Sequence, residues 1–223
     1  SSVLTGGTDD LDGGVFSAIT GCMARLRQTG HDVVLVSSGA IAAGRKSLHC
    51  TERPASIPEK QASAAIGQVR LMAKYEACFR KHDQQIAQVL LTNDDLSNRR
   101  KFLNARNTLF TLLQCGIIPI INENDSVVVD EIKFGDNDIL SALVTNLVDA
   151  DLLLILTDQD GLYEQDPQRQ TDARLIRLVE KVGSGIGDSA EGGTSGLGTV
   201  GMRAKWDAAK SASLFGILTI IVN

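Results

Sequence analysis

The chain has 223 residues, a formal net charge of −5 at pH 7, 43% hydrophobic residues and only 4% aromatic residues. The acidic balance excludes a generic nucleic-acid-binding protein, which would carry a basic surface toward the phosphates. No apolar run approaches the roughly 20 residues that span a bilayer, and no signal peptide is visible, so we expect no association with a membrane. A core of Val, Ile, Leu and Ala suits an α/β protein with a buried sheet.

Helices and short strands alternate through the first half of the chain. Apolar residues at helical spacing predict helices, and short runs that are apolar throughout predict buried strands. Helices are predicted at 11–29, at 40–45, from 58 onward and at 94–114, and strands at 33–36, 85–91 and 117–121. A polar loop is predicted at 46–57 and a hairpin at 127–134.

Helices and strands are also predicted to alternate in the second half of the chain. The Gly-Asp-Asn-Asp run at 135–138 is predicted to open a helix to about Val148, because Asp and Asn cap helix N-termini. Strands are predicted at 151–156 and 217–222, short strands and polar loops over 162–190, and a helix that ends near Leu214.

Strands that alternate with helices imply right-handed crossovers and a largely parallel sheet. We therefore predict an α/β fold, a three-layer αβα sandwich whose mainly parallel sheet is covered on both faces. Residues 1–223 are expected to form a single domain. Within it we predict one lobe over about 1–150 and a second, nucleotide-binding lobe over about 151–223.

The four cysteines show neither a CxxC pair nor a Cys/His metal pattern. They are Cys22, Cys50, Cys78 and Cys115. We expect ordinary reduced thiols, a cytoplasmic location and no protein-bound metal centre.

The most informative segment is the glycine-rich run at 192–201, which leads into a helix-prone segment containing Lys205. Glycines let backbone N–H groups approach an anion closely, and a helix N-terminus adds the positive end of a dipole. Side chains on a helix lean toward its N-terminus, so Lys205 can reach back toward whatever the loop holds. The segment predicts a polyphosphate site and therefore nucleotide chemistry.

Three common nucleotide signatures do not fit this loop. Gly196, Gly198 and Gly201 match GxGxxG, but no strand precedes them and Ile221 stands where an acidic residue is required. A Walker A loop needs a lysine where the chain has Met202. The HRD and DFG signatures of protein kinases are absent from the sequence.

Polar clusters follow several predicted strands. They occupy 37–39, 122–125, 157–158 and, after the loop region, 198–205. Any single cluster could be a capped turn, and Lys205 could be an ordinary solvated lysine. Because ligands of open α/β sheets bind outside the carboxyl ends of the strands, the shared edge favours a binding crevice.

Six short motifs share their order with one known group of enzymes. They are Ser-Ser-Gly-Ala-Ile-Ala-Ala-Gly at 37–44, Phe-Leu-Asn-Ala-Arg at 102–106, Ile-Asn-Glu-Asn-Asp at 121–125, Gly-Asp-Asn-Asp at 135–138, Leu-Thr-Asp at 156–158 and Ser-Gly-Leu-Gly-Thr at 195–199. From Ser2 to Val222 the chain resembles the glutamate 5-kinase branch of the amino acid kinase family. The resemblance implies ATP-dependent phosphorylation of the γ-carboxylate of L-glutamate to L-glutamyl 5-phosphate, the first step of proline biosynthesis, with Mg²⁺ as cofactor.

The resemblance also implies roles for individual residues. Lys205 would act on the transferring phosphoryl group, and Asp138 would organise the catalytic lysines. The expected substrate-binding residues are Ser38, Gly39, Asn122, Asp125 and Asn137. The expected nucleotide-binding residues are Thr157, Asp158, Gly198, Thr199, Gly201, Met202 and Lys205.

Elementary chemistry agrees with that implication. A glutamate carboxylate has a reference pKa of about 4.3, so it is already an ionised nucleophile at neutral pH and needs no general base. The difficulty lies in bringing two anions together, and Lys205 and Mg²⁺ are the expected neutralising cations. Asp125 is expected to pair with the substrate ammonium, and the Gly39 amide to donate to a phosphate oxygen. Arg99, Arg100 and Lys101 are expected to form a solvated face or a subunit contact.

Three features depart from the family pattern. In the family pattern, a lysine in a Lys-x-Gly segment would lie just upstream of Ser1. Val200 stands where the family usually has a glycine. Up to Asn223, the sequence contains no RNA-binding-like C-terminal domain. The resemblance further implies a homo-oligomer and feedback inhibition by proline, with candidate residues near 46–60 and at Glu131.

Two alternatives stay open at the level of the sequence. The first is a kinase of the same fold that acts on acetylglutamate, aspartate, carbamate or uridylate. Ser38 together with Asn122 and Asp125 argues for free glutamate instead. The second is a catalytically silent module that binds a nucleotide or an amino acid, which the missing upstream lysine favours.

Overall fold

The computed structural model describes residues 2–5, 11–45, 56–128, 137–163, 172–180 and 200–223. The chain forms two compact units, Ser1–Asn137 and Asp138–Asn223. The lobe boundary near residue 150 stays a prediction. The predictions for 46–55, for the hairpin beyond 128 and for the glycine-rich loop before Val200 lie outside the described residues.

The first unit is built around a parallel sheet. Its elements are α1 (Ser2–Thr5), α2 (Gly13–Gln28), β1 (Leu35–Val36), α3 (Ala40–Arg45), α4 (Ile57–Phe79), β2 (Ile86–Leu91), α5 (Asn93–Ser97), α6 (Arg99–Gln114) and β3 (Ile118–Glu123). The strand order is β1-β3-β2, and both pairings are parallel. Every residue of the central strand β3 is buried, as its continuous apolar run predicts.

Two boundaries predicted from the sequence are wrong. The single helix predicted at 94–114 is broken at Asn98, whose backbone is extended, with φ −84° and ψ 116°. The Asn98 side chain accepts hydrogen bonds from the amides of Arg100 and Lys101 and so starts a new helix. Strand β3 was predicted to end at Ile121, yet it continues through Glu123 because residues 122 and 123 keep pairing with β2.

Helix α4 contributes a large share of the core of this unit. Ser56 and Glu59 form a capping box at its start, each side chain bonding the backbone amide of the other. Its buried face enters the main core with α2 and β3. Gly67 of α4 lies directly against Gly44 of α3, so these two helices approach backbone to backbone.

Tyr75 of α4 is fully buried between Phe16 and Phe79, with ring centroids 4.5 Å and 6.4 Å away. Its hydroxyl lies 2.9 Å from Ser37 Oγ. The Ser37 Oγ also lies 3.1 Å from the Ser38 carbonyl. Burial raises the pKa of Tyr75 to about 12, and the Ser37 bond opposes part of that rise.

This raised pKa predicts instability in alkali. An unfolded tyrosine ionises near pH 10, so the stabilisation of roughly 3 kcal/mol is complete below pH 10 and is lost as the pH rises toward 12. The chain contains two tyrosines, so in a Tyr163→Phe variant the tyrosinate absorbance reports on Tyr75 alone. We expect that absorbance to appear together with unfolding, and a Tyr75→Phe variant to resist alkali better than the parent. Ionisation of Tyr75 near pH 10 in a folded protein would contradict the prediction.

The second unit contains its own parallel strand pair. Its elements are α7 (Asn137–Leu147), which begins one residue before the unit, β4 (Leu152–Leu156), β5 (Leu162–Tyr163), β6 (Leu175–Ile176), α8 (Val200–Ser213) and β7 (Leu218–Val222). Strands β4 and β7 pair in parallel, and β5 and β6 pair antiparallel. Leu153 and Ile155 are buried against Ala208 and Ala212 of α8.

The opposite face of the β4–β7 pair is exposed in the part of the chain that the structure describes. The outward leucines of β4, at 152, 154 and 156, are 42%, 48% and 40% exposed. None of the described helices is both long enough and apolar enough to span a bilayer.

Candidate active site

The turn after β1 carries two of the predicted substrate residues, Ser38 and Gly39. Gly39 has φ +99°, a conformation that residues with a side chain rarely adopt. A Cβ at this position would lie 3.7 Å from Leu4, an ordinary contact, so the conformation and not the available space requires glycine. The Gly39 carbonyl accepts from the Ala43 amide at 2.9 Å, which carries the turn directly into α3.

Asn122 and Asn137 are in direct contact. Asn122 is 2% exposed, and its Oδ1 accepts from the Glu123 amide at 2.9 Å and from Asn137 Nδ2 at 3.0 Å. Asn137 Nδ2 also donates to the Ser37 carbonyl at 2.9 Å. Within the first unit, one pair of side-chain amides thus joins the ends of β1 and β3 to Asn137. Asp125, the other predicted substrate residue, lies half-buried in the turn that follows β3.

Gln68 and Tyr75 of α4 belong to this site, and the sequence analysis missed both. Gln68 is 8% exposed, and its Oε1 accepts from Asn122 Nδ2 at 2.9 Å. Tyr75 bonds Ser37, as described above. A signal was available, because a glutamine on the apolar face of a helix requires a polar partner inside the protein.

A cavity of about 400 Å³ lies beside the turn that holds Asp125. Its lining residues are Thr92, Asp94, Asp95, Lys101, Asn124, Val127 and Val128. Lys101, expected on a solvated face, places its Nζ 2.7 Å from Asp94 and 3.0 Å from Asp95 at this cavity. These hydrogen bonds raise the pKa of Lys101. Partial burial tends to raise the pKa of Asp95, but hydrogen bonds from Thr92 and Lys101 outweigh it and hold that pKa below its usual value.

In the second unit, Lys205 forms an ion pair with Asp138. The distance from Lys205 Nζ to Asp138 Oδ2 is 2.8 Å, and both side chains are 16% exposed. Lys205 lies in the second turn of α8, and Asp138 lies in the first turn of α7. A largely desolvated ammonium that is hydrogen-bonded to one carboxylate can also bind a second anion, because its remaining protons can still donate hydrogen bonds.

Thr157 and Asp158 come directly after β4. Thr157 is 4% exposed, its amide donates to the Val222 carbonyl at 2.9 Å, and its Oγ1 accepts from the Gln159 amide at 3.4 Å. Asp158 is exposed. Thr157 therefore shapes the turn at the end of the strand pair and leaves the Asp158 side chain in solvent.

The start of α8 holds the other described nucleotide residues. Met202 is 7% exposed and packs with Leu162 and Trp206. Gly201 is exposed, and no described atom lies within 4 Å of the position that a Cβ would take. Gly198 and Thr199 lie outside the described residues.

Solved structures confirm the predicted fold class. The product complex of isopentenyl phosphate kinase from T. acidophilum matches with a TM-score of 0.62 and 16% identity, over 100% of this chain and 87% of that one. Carbamate kinase from Giardia lamblia bound to AMP-PNP matches with a TM-score of 0.65 and 13% identity, over 95% of this chain and 85% of that one. At these identities the likeness shows the fold alone.

Sequence relatives are much closer. Glutamate 5-kinase of Geobacter metallireducens is 56% identical over 223 residues, and glutamate 5-kinase of Pseudomonas entomophila is 49% identical over 224 residues. Each alignment covers 100% of this chain and 60% of the relative, so the chain spans about three fifths of the length of these curated proteins. A family model described as the amino acid kinase family matches residues 1–223. The match confirms the resemblance that the six motifs indicated, and the chain belongs to the amino acid kinase family.

Proposed function

We propose that the protein transfers the γ-phosphoryl group of ATP to the γ-carboxylate of L-glutamate, forming L-glutamyl 5-phosphate at the first step of proline biosynthesis. The observation that carries the proposal is the desolvated Lys205–Asp138 pair in a chain whose relatives are named glutamate 5-kinase. An ammonium in that setting is suited to a transferring phosphoryl group. A reaction that consumes ATP and glutamate fits the cytoplasmic location expected from the sequence.

The first unit supplies groups suited to an amino acid. Asp125 offers a carboxylate for the substrate ammonium, and Ser38 offers a hydroxyl that can donate to a carboxylate. The hydrogen bond from half-buried Asn137 to buried Asn122 fixes the Asn137 side-chain amide, so this part of the site is held before any ligand arrives. Groups that are already ordered lose less conformational entropy on binding.

Phosphoryl transfer needs positioning and charge neutralisation more than covalent chemistry from the protein. The glutamate carboxylate is ionised at neutral pH and attacks phosphorus without a base. Lys205 is proposed to stabilise the charge that builds on the transferred group, and Asp138 to hold the Lys205 ammonium in place.

The described residues fit a polyphosphate and its magnesium ion. The 14-residue helix α8 carries Lys205 in its second turn, and N-terminal amides together with a lysine are a donor set that suits phosphate oxygens. Mg²⁺ binds largely through the phosphates and keeps several water ligands, so it needs few ligands from the protein. When bound, it neutralises charge on the phosphate oxygens.

Replacing Asp125 with alanine is expected to weaken glutamate binding far more than ATP binding. Loss of a charge-assisted hydrogen bond removes about 2 kcal/mol, which raises the KM for glutamate about 30-fold. Asp125→Asn keeps the shape and loses the charge, so it should resemble the alanine variant, whereas Ser126→Ala next to it should resemble the parent. Steady-state kinetics with each substrate varied would check this, and equal losses for glutamate and ATP would show that Asp125 has a structural role only.

The proposed reaction is tested by an acceptor panel with the full-length protein and ATP. Glutamate, acetylglutamate, aspartate, carbamate and uridylate are compared by the release of ADP. We expect ADP release to depend on glutamate. Turnover of another acceptor without glutamate turnover would replace the proposed substrate, and binding of ATP and glutamate without ADP release would indicate a silent module. Proline inhibition and oligomer formation stay predictions.

A further inference from the structure

Two backbone groups fix the direction of three side-chain amides in the first unit. The Glu123 amide can only donate, so the Asn122 atom that faces it at 2.9 Å is Oδ1. The Ser37 carbonyl can only accept, so the Asn137 atom that faces it at 2.9 Å is Nδ2. With both ends set, Asn122 must present Nδ2 to Gln68, and Gln68 must present Oε1 in return.

We propose that Gln68 is a positioning residue for the amino-acid substrate. Its Oε1 holds the Asn122 carboxamide in one orientation, and Asn122 in turn holds Asn137 with both Nδ2 protons engaged. The Nδ2 end of the Asn137 amide therefore faces Asn122, and the acceptor Oδ1 is the end that is turned away from it. The inference rests on the proposed function, since it is glutamate that Asn122 and Asn137 are proposed to bind.

The burial of Gln68 supports a role beyond packing. Its Nε2 is buried and has no hydrogen-bond partner among the described residues. A buried donor without a partner lowers stability, so an apolar side chain of similar volume would suit this position better if packing were the only demand. Among the described residues, the polar contact that accounts for a glutamine here is the acceptor that it offers to Asn122.

The place of Gln68 on α4 supports the same conclusion. Tyr75 lies seven residues later, on the same face of the helix, and is hydrogen-bonded to Ser37 beside the Ser38 turn. Helix α4 therefore contacts the polar ends of both β1 and β3. A shift of this helix would move the amide pair and the Ser38 turn together.

The test compares three variants of the full-length protein. Gln68→Met removes the acceptor and keeps the volume. Gln68→Glu keeps an acceptor, because a buried carboxyl group favours its neutral form and still offers a carbonyl oxygen. Ser63→Ala is the matched control, since Ser63 lies on the same helix, is fully buried and has an Oγ without a partner among the described residues.

We expect Gln68→Met to raise the KM for glutamate at least about tenfold and to change the KM for ATP by less than about twofold. Gln68→Glu should recover most of the lost glutamate affinity, and Ser63→Ala should match the parent. A KM for glutamate that is unchanged in Gln68→Met would overturn the proposal. So would equal changes in both KM values, or a Gln68→Glu variant that is no better than Gln68→Met.

A second readout does not depend on turnover. In the parent protein the side-chain NH₂ groups of Asn122 and Asn137 should show slow hydrogen exchange by NMR. That protection should be lost in Gln68→Met and kept in Ser63→Ala. If the parent protein fails to phosphorylate glutamate, the proposed function fails, and this exchange measurement alone decides whether Gln68 positions the two asparagines; unchanged protection in Gln68→Met would refute it.

Discussion

Replacing Lys205 with alanine is expected to lower the turnover number about a thousandfold. Lys205 is the described cation proposed to meet the transferred phosphoryl group, and its ammonium lies 2.8 Å from Asp138 in a site where both side chains are 16% exposed. Removing a preorganised donor from a largely dry site costs about 10²–10³ in rate, and removing a cation from a phosphoryl-transfer site costs about 10³–10⁵. Single-turnover and steady-state kinetics with saturating ATP and glutamate would measure the loss.

Two controls separate catalysis from folding in that experiment. Lys210→Ala removes an exposed lysine from the same helix and should leave turnover unchanged. Lys205→Ala removes the cation that pairs with the largely buried Asp138 carboxylate, so the melting temperature should fall, and adding Asp138→Asn should recover stability without recovering turnover. A Lys205→Ala variant that turns over within a few-fold of the parent would remove Lys205 from the reaction.

Replacing Gly67 with alanine is expected to destabilise the first unit by about 3 kcal/mol or more. A Cβ at Gly67 would overlap the carbonyl oxygen of Ala40 and the amide nitrogen of Gly44. Both atoms are backbone, so the overlap can be relieved only if α3 and α4 move apart, and added volume in a closely packed contact typically costs about 1–3 kcal/mol. Because α3 follows Gly39 directly, we also expect weaker glutamate binding.

The matched control is Gly21→Ala. Gly21 is also inside a helix, α2, but a Cβ there would meet its nearest neighbour, His82, at an ordinary 3.7 Å. This change should stabilise the protein by up to about 1 kcal/mol, because alanine has the higher helix propensity. Urea denaturation of both variants would measure the difference, and equal effects would show that the contact between α3 and α4 is looser than the structure indicates.

Much of the fold could be predicted from local pattern. The apolar run at 117–121 marks β3 because a strand buried on both faces needs no alternation, and the small residues after Ser38 mark a helix of low bulk. These features depend on neighbours within one element, which is why the sequence shows them.

Other features depend on long-range partners and could not be predicted. Asn98 ends one helix and starts the next through its own cap, a choice that helical periodicity does not reveal. The packing of the Met202 side chain against Leu162 and Trp206 is likewise set by residues distant along the chain, and a nucleotide contact at Met202 stays a prediction. Gln68 acquires its role only because the fold brings it to Asn122, 54 positions away along the chain.

The central claim is that a glutamate carboxylate attacks the terminal phosphorus of ATP. It is tested most directly with glutamate that carries ¹⁸O in its γ-carboxyl group, by trapping the product with hydroxylamine and analysing the released phosphate by mass spectrometry. Because hydroxylamine attacks the acyl carbon, the account predicts that each phosphate keeps an ¹⁸O atom taken from glutamate. Phosphate without the label would show that water or another acceptor attacked the phosphorus, and would contradict the account.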